Sequence, residues 1–179
     1  MANNVEIKAH LSPKQVIHVR EKALALATTT PEFLDQTDTF YKVPAGRLKL
    51  RELKHGTAEL IAYERPDQAG PKHSSYVCSP SPDPKSLNEA IGRILGIRGV
   101  VEKHRQVIHV GQTRVHLDDV VGLGSFLELE VVLQENQSLE DGEAIATELM
   151  VAFGVTSESL INGAYIDLLE ARLNGRTHR

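Results

Sequence analysis

Charged and apolar residues alternate with a period of two in segment after segment of this chain, and that alternation most constrains its fold. In "GRLKLRE" (46–52) Arg47, Lys49 and Arg51 fall on one face of a strand, and Leu48 and Leu50 on the other. Elsewhere Glu6 pairs with Lys8, Tyr63 and Arg65 flank Glu64 from the opposite face, and Lys103 pairs with Arg105. Arg114, His116 and Asp118 share a face, as do Glu128 and Glu130, with mostly Val, Leu or Ile between. Any one such strand is explained by a face turned to water. The distribution of sign is not. Cations gather on the third, fourth and sixth predicted strands and the closest acid pair lies on the eighth, whereas solvated faces usually mix the signs.

The periodicity predicts strands at 4–10, 32–43, 46–53, 58–66, 73–80, 99–110, 112–120 and 125–133. Between them, Ser12-Pro13 opens a helix as N-cap and first helical position, and 86–96 reads as a second helix after the proline-rich connector "SPSPDPK" (79–85). Ser138, with Asp141 as its capping-box acid, opens a third helix over 138–154, and 164–173 closes the chain as a fourth. The expected organisation is a single domain over 1–174 with a frayed tail at 175–179. The fold class is α+β: an eight-stranded antiparallel barrel whose polar faces point inward and whose apolar outer faces are covered by amphipathic helices.

Such a barrel sets a basic wall opposite an acidic corner. Arg and Lys suit the oxygens of a polyphosphate, Arg through its planar fork. Clustered glutamates suit a hard divalent cation, Mg²⁺ or Mn²⁺, bridging the same phosphates. Together they specify positioning and charge neutralisation, the needs of phosphoryl transfer.

Other features exclude other functions. A net charge of −4 and only 4% aromatic residues argue against nucleic acid or an acidic membrane as partner. No apolar run reaches membrane-spanning length, "MANNVEIKAH" has no signal-peptide pattern, and the lone Cys78 fits a reducing compartment, so a cytoplasmic location is expected. "GLGSFL" (122–127) precedes a strand and reads as a turn, and no Walker loop is present. Cys78 reads as a bystander, His104 and His109 as surface or packing residues, and His116 as a packed strand histidine in preference to a site residue.

The segments "VEIK", "GRLKLRE", "YERP", "VEKHRQV", "TRVHLDDVVGLGSFLELEV" and "NGAYIDLL" resemble, in that order, the CYTH family of class IV adenylyl cyclases and thiamine triphosphatases, also called triphosphate tunnel metalloenzymes. The resemblance spans nearly the whole chain. It implies a tunnel that binds a small-molecule triphosphate with Mg²⁺ or Mn²⁺, and is compatible with a homodimer. Carried over by motif, Lys8, Arg47, Lys49, Arg51, Arg65, Lys103, Arg105 and Arg114 are implied to bind the triphosphate. Glu6, Glu128 and Glu130, with Asp118 and Asn4 as further candidates, are implied to bind metal, and Lys8 and Glu130 to be catalytic. Asn4 stands where the family's ExExK motif has its first Glu, which removes one negative charge. Three activities stay open: hydrolysis of the terminal phosphate, favoured by retention of both Glu128 and Glu130; cyclisation of ATP; and binding without turnover.

Overall fold

The computed structural model describes residues 2–176, with the side chains of 3–175. Eight strands are joined into one closed antiparallel barrel: β1 (Ala2–Leu11), β2 (Glu32–Tyr41), β3 (Arg47–Leu53), β4 (Ala58–Glu64), β5 (Lys72–Pro80), β6 (Ile97–Val110), β7 (Thr113–Val120) and β8 (Gly124–Val132). Round the ring the order is β1-β5-β4-β3-β2-β6-β7-β8. Five of the eight neighbouring pairs are consecutive in the chain; two longer connections, β1 to β2 through α1 and β5 to β6 through α2, carry the chain to other places in the ring, and β8 closes on β1. Closure removes every sheet edge, so each strand can present one whole face inward and one outward. Helices α1 (Pro13–Ala25) and α2 (Pro84–Leu95) follow β1 and β5, and α3 (Leu139–Ala152) and α4 (Tyr165–Arg176) end the chain.

The caps act where the sequence places them. Ser12 and Ser138 form capping boxes with Gln15 and Asp141, and Asp83 caps α2 with Pro84 as first helical residue. α2 therefore starts two residues before the expected 86. α4 runs on through Gly175 and Arg176, the first residues of the expected tail, and 177–179 lie outside the described residues.

Apolar residues do point outward, and the helices cover them. Val5, Ile7, Ala9 and Leu11 of β1 join Val115 and Leu117 of β7 and Leu127, Leu129 and Val131 of β8 in one cluster with α1 and α3. Gly142 lets α3 approach closely, since a Cβ there would lie 2.7 Å from a Val5 methyl. α2 sets Leu87 and Ile91 on Tyr41 and Leu50. A third cluster, with Phe40, Val101, Val120, Phe126, Tyr165 and Ile166, fills one end of the barrel with the start of α4. Among the described residues no helix is long and apolar enough to cross a membrane.

Candidate functional site

The inward faces enclose a cavity of about 520 Å³. Its lining is graded along the barrel. Glu32, His109 and Arg114 keep side-chain exposures of 60%, 32% and 35%, marking the mouth. Phe40, Val101 and Tyr165 at the other end are 5% exposed or less, so the apolar plug forms a floor.

On the β2–β3–β6 wall a single carboxylate gathers three cations. Antiparallel pairing sets Asp38 opposite Arg51 and beside the strand carrying Lys103. Arg51 donates to both Asp38 oxygens at 2.8 Å, Lys49 Nζ to Oδ2 at 3.0 Å and Lys103 Nζ to Oδ2 at 2.9 Å. Burial would raise the Asp38 carboxyl, but Arg51, Lys103 and Lys49 outweigh it and hold it well below the ordinary range. The lysines pay for the crowding. Burial first, then Arg51, pushes Lys49 down to about 8. Lys103 is driven well below its usual value, with burial again the leading cause.

Across the ring lies the acidic corner, since β8 stands four places from β3 in either direction, and β1 four places from β2. Register sets Glu6 against Glu130, Lys8 against Glu128, and both Arg114 and His116 against the same glutamates from β7. Here each carboxylate meets a cation. Arg65 donates to Glu6, Arg114 Nε to Glu130 Oε2 at 2.9 Å, and Arg105 Nη2 to Glu128 Oε2 at 2.9 Å. Lys8 Nζ lies 3.8 Å from Glu128 and 3.9 Å above the Tyr165 ring, and its pKa is lowered by burial, with Glu128 opposing. Burial would raise Glu128, but Lys8, then His116 and Arg105, hold it well below the carboxylate range.

Lys8, Lys49, Arg51, Arg65, Lys103, Arg105, Arg114, Glu6, Glu128 and Glu130 all line this one cavity. Three expected residues do not. Arg47 turns to Asp67 at 2.8 Å and Asp167 at 2.9 Å, and with Arg98, which also meets Asp167, it fastens α4 to the barrel end. Asp118 is taken up by a two-pronged pair with Arg105, at 2.6 Å for each bond, and by the Tyr165 hydroxyl at 2.7 Å, so it positions Arg105. Asn4 is fully buried and donates its amide to Glu130.

Two histidine readings need correction. His109 shares the inward parity of Lys103 and Arg105 and lines the mouth, a count visible in the sequence; His104 is exposed and pairs with Asp35. His116, read as packing, lines the cavity between Glu128 and Glu130. Asp38 was missed because its segment, "EFLDQTDTFYKV", shows no alternation of charge; only the register identifies its partners. Tyr165 belongs to a helix and had no strand pattern to reveal it.

Glu6, Glu128 and Glu130 offer the hard oxygens a divalent cation prefers. Among the described residues no group of three or more His, Cys, Asp or Glu side chains converges as a ready cation site. Buried Asn4 Oδ1 and His116 Nδ1 in the same corner have no hydrogen-bond partner. The donors therefore fit such an ion by chemistry, and their present arginine and lysine partners must first yield.

The architecture is a closed eight-stranded antiparallel barrel with helices outside and a charged interior. More narrowly, the chain belongs to the CYTH family: the CYTH domain model matches residues 2–165. Among solved structures, a Pyrococcus horikoshii protein shares 22% identity with a TM-score of 0.80, covering 92% of this chain and 98% of that one. A Vibrio parahaemolyticus protein, provisionally an adenylate cyclase, has 17% identity and a TM-score of 0.73 over 93% of this chain and 97% of its own. A Hippeastrum protein, provisionally an adenylyl cyclase but with a dominant triphosphatase activity, has 17% identity and a TM-score of 0.59 over 85% and 88% of the two chains. These likenesses are of fold. Comparison with curated proteins gave no match.

Proposed function

We propose that this chain is a metal-dependent enzyme that holds a small-molecule triphosphate inside the barrel and hydrolyses its terminal phosphate. The observation that carries this reading is the surplus of cations around Asp38. Lys49, Arg51 and Lys103 share one carboxylate inside a cavity, with Arg105 beside them. A buried surplus of that kind is unfavourable until an anion joins it. A phosphate chain supplies the missing charge and accepts donors from several directions at once. Family membership and the triphosphatase activity of the Hippeastrum relative support the same choice.

In this reading Lys49, Arg51, Lys103 and Arg105 grip the phosphate oxygens, and Asp118 keeps Arg105 in its plane. Arg65 and Arg114 exchange their glutamates for phosphate as the substrate enters. Glu6, Glu128 and Glu130 would hold Mg²⁺ or Mn²⁺, which supplies charge neutralisation and a more acidic bound water. Lys8, shielded by Tyr165 and beside Glu128, orients the attacking water toward the terminal phosphorus. The bond from that phosphorus to its bridging oxygen breaks, releasing orthophosphate. The plugged floor keeps bulk water out, which strengthens every charge interaction inside.

A second reading, cyclisation of ATP, is favoured by one feature. Beyond the cations the lining continues toward the mouth through Leu34, Ile61, Tyr76 and Val107, an apolar surface that suits a nucleoside more than bare phosphate. A third, binding without turnover, is favoured by Asn4. Incubation with Mg²⁺ or Mn²⁺ and tripolyphosphate, thiamine triphosphate or ATP separates them. Orthophosphate release supports hydrolysis, cyclic AMP with pyrophosphate the cyclase, and thermal stabilisation without product the binding module.

A further inference from the structure

The histidine at the centre of the acidic corner has no part in the steps above, and its surroundings give it one. His116 is 5% exposed on the inward face of β7, between Glu128 and Glu130. Its Nδ1 lies 3.8 Å from Glu128 Oε2 and its Nε2 3.7 Å from Glu130 Oε2, both beyond hydrogen-bond reach. Nδ1 has no hydrogen-bond partner, and neither has Oδ1 of Asn4, whose amide nitrogen donates to the same Glu130. Buried polar atoms nearly always find partners. The two orphans lie in one corner, His116 Nδ1 facing Glu128 and Asn4 Oδ1 on the residue bound to Glu130, and point to an absent member of the cluster.

On the reading that this corner takes a divalent cation, we infer that His116 is one of the ion's ligands. It binds through Nε2 beside Glu130 and the Asn4 carbonyl oxygen, and the ring turns to bring Nδ1–H, now 3.8 Å away, within donating distance of Glu128. Around an octahedral ion, two bonds of about 2.1–2.2 Å meeting at about 90° set their donor atoms about 3.0 Å apart. The 3.7 Å between Nε2 and Glu130 closes to that by a side-chain shift of less than about 1 Å, without rebuilding either strand. The orientation agrees as well, because a metal-bound imidazole usually gives its other N–H to a carboxylate, which fixes the ring and raises its basicity.

The obstacle is Arg114, which occupies Glu130 with two bonds of 2.9 Å. Arg114 is also the most exposed of the corner's arginines, at the mouth, and its further hydrogen bond, to the Tyr76 hydroxyl, is long at 3.5 Å. A triphosphate entering there draws Arg114 toward itself and uncovers Glu130. One consequence follows for metal choice. An imidazole nitrogen among oxygens shifts preference from Mg²⁺ toward Mn²⁺.

The test loads the whole chain with Mn²⁺ and tripolyphosphate, freezes it, and reads the bound ion by pulsed electron paramagnetic resonance. The expected spectrum carries nitrogen hyperfine coupling from a coordinated imidazole, altered when the chain is grown on isotope-labelled histidine. In His116→Gln the coupling disappears and the preference for Mn²⁺ over Mg²⁺ drops about tenfold. Protein-bound Mn²⁺ without nitrogen coupling overturns the inference while leaving the triphosphate reading intact. Coupling that survives in both His116→Gln and His116→Asn assigns the nitrogen to another side chain and overturns it too. Failure to bind Mn²⁺ at all, with or without tripolyphosphate, defeats the inference through the metal reading beneath it. The labelled wild-type spectrum stands even if neither variant folds.

Discussion

Two buried charge clusters line this barrel on opposite walls, built from the same residue types and left with different charge. On β2, β3 and β6 one carboxylate, Asp38, serves Lys49, Arg51 and Lys103. In the corner of β1 and β8, Glu6 and Glu130 answer Arg65 and Arg114, while Glu128 and Asp118 share Arg105, with Lys8 also beside Glu128. The first cluster is a socket with positive charge to spare. The second is balanced and must exchange partners before it can take a cation. The difference teaches that an imbalance the fold cannot settle internally, more than density of charge, distinguishes a wall that an added anion would stabilise.

The sharpest way to break the comparison is to remove Asp38. Asp38→Asn leaves three buried cations without their carboxylate, and stability should fall by about 3–5 kcal/mol. Added tripolyphosphate should recover more thermal stability in this variant than in wild type. Equal stabilisation of both proteins in a melting experiment would deny that the socket awaits an anion. Next in size is Glu130→Gln, which should lower kcat about 100-fold or more by weakening metal charge neutralisation, with little change in affinity for triphosphate. Arg51→Ala should act the other way, with Kd for tripolyphosphate rising about tenfold or more and a smaller effect on kcat, measured by titration calorimetry and steady-state kinetics.

A pH titration sharpens the contrast further. Free Lys49 sits at about 8, and a bound phosphate raises that value because it favours the charged amine. Binding therefore takes up protons above neutrality. Affinity should hold below about pH 8 and then fall by up to about tenfold per pH unit above it, until the pKa of the complex is passed. Calorimetry in buffers of different ionisation enthalpy reads the proton uptake directly, and an uptake of zero at pH 8.5 to 9 contradicts the prediction. The smallest effect is expected from Arg47→Ala. Arg47 is committed to Asp67 and Asp167, so triphosphate affinity should stay within about twofold of wild type, with a stability loss of about 1 kcal/mol or less for these partly exposed pairs. A tenfold loss of affinity would return Arg47 to the binding wall.

Much of the fold was legible in the chain because strand and helix periods are local properties. Alternation in "RLKLREL" and "GSFLELEVV" reports two faces of a strand whatever the strand pairs with, and Ser12-Pro13 and Ser138 with Asp141 specify helix starts within four residues. The same locality explains the inward-facing cations. Arg47 shows the limit: it keeps the right parity but lies at the end of β3 where α4 brings Asp167 within reach. Asp38 shows the converse, a residue with no local pattern that the register of β2 against β3 and β6 turns into the hub of the basic wall.

By itself, then, the sequence determined that strands with one charged and one apolar face would be made, that helices would follow the first and fifth of them, and that cations and acids would lie on different strands. Those outcomes depend on steric periods and caps acting over a few residues. The tertiary structure alone decided which strand stands across the ring from which, where α4 closes one end, and which charges neutralise one another. Each of those depends on closure of the barrel, which sets side chains far apart in the chain within a few ångströms, and Coulomb energy is governed by that distance and by burial.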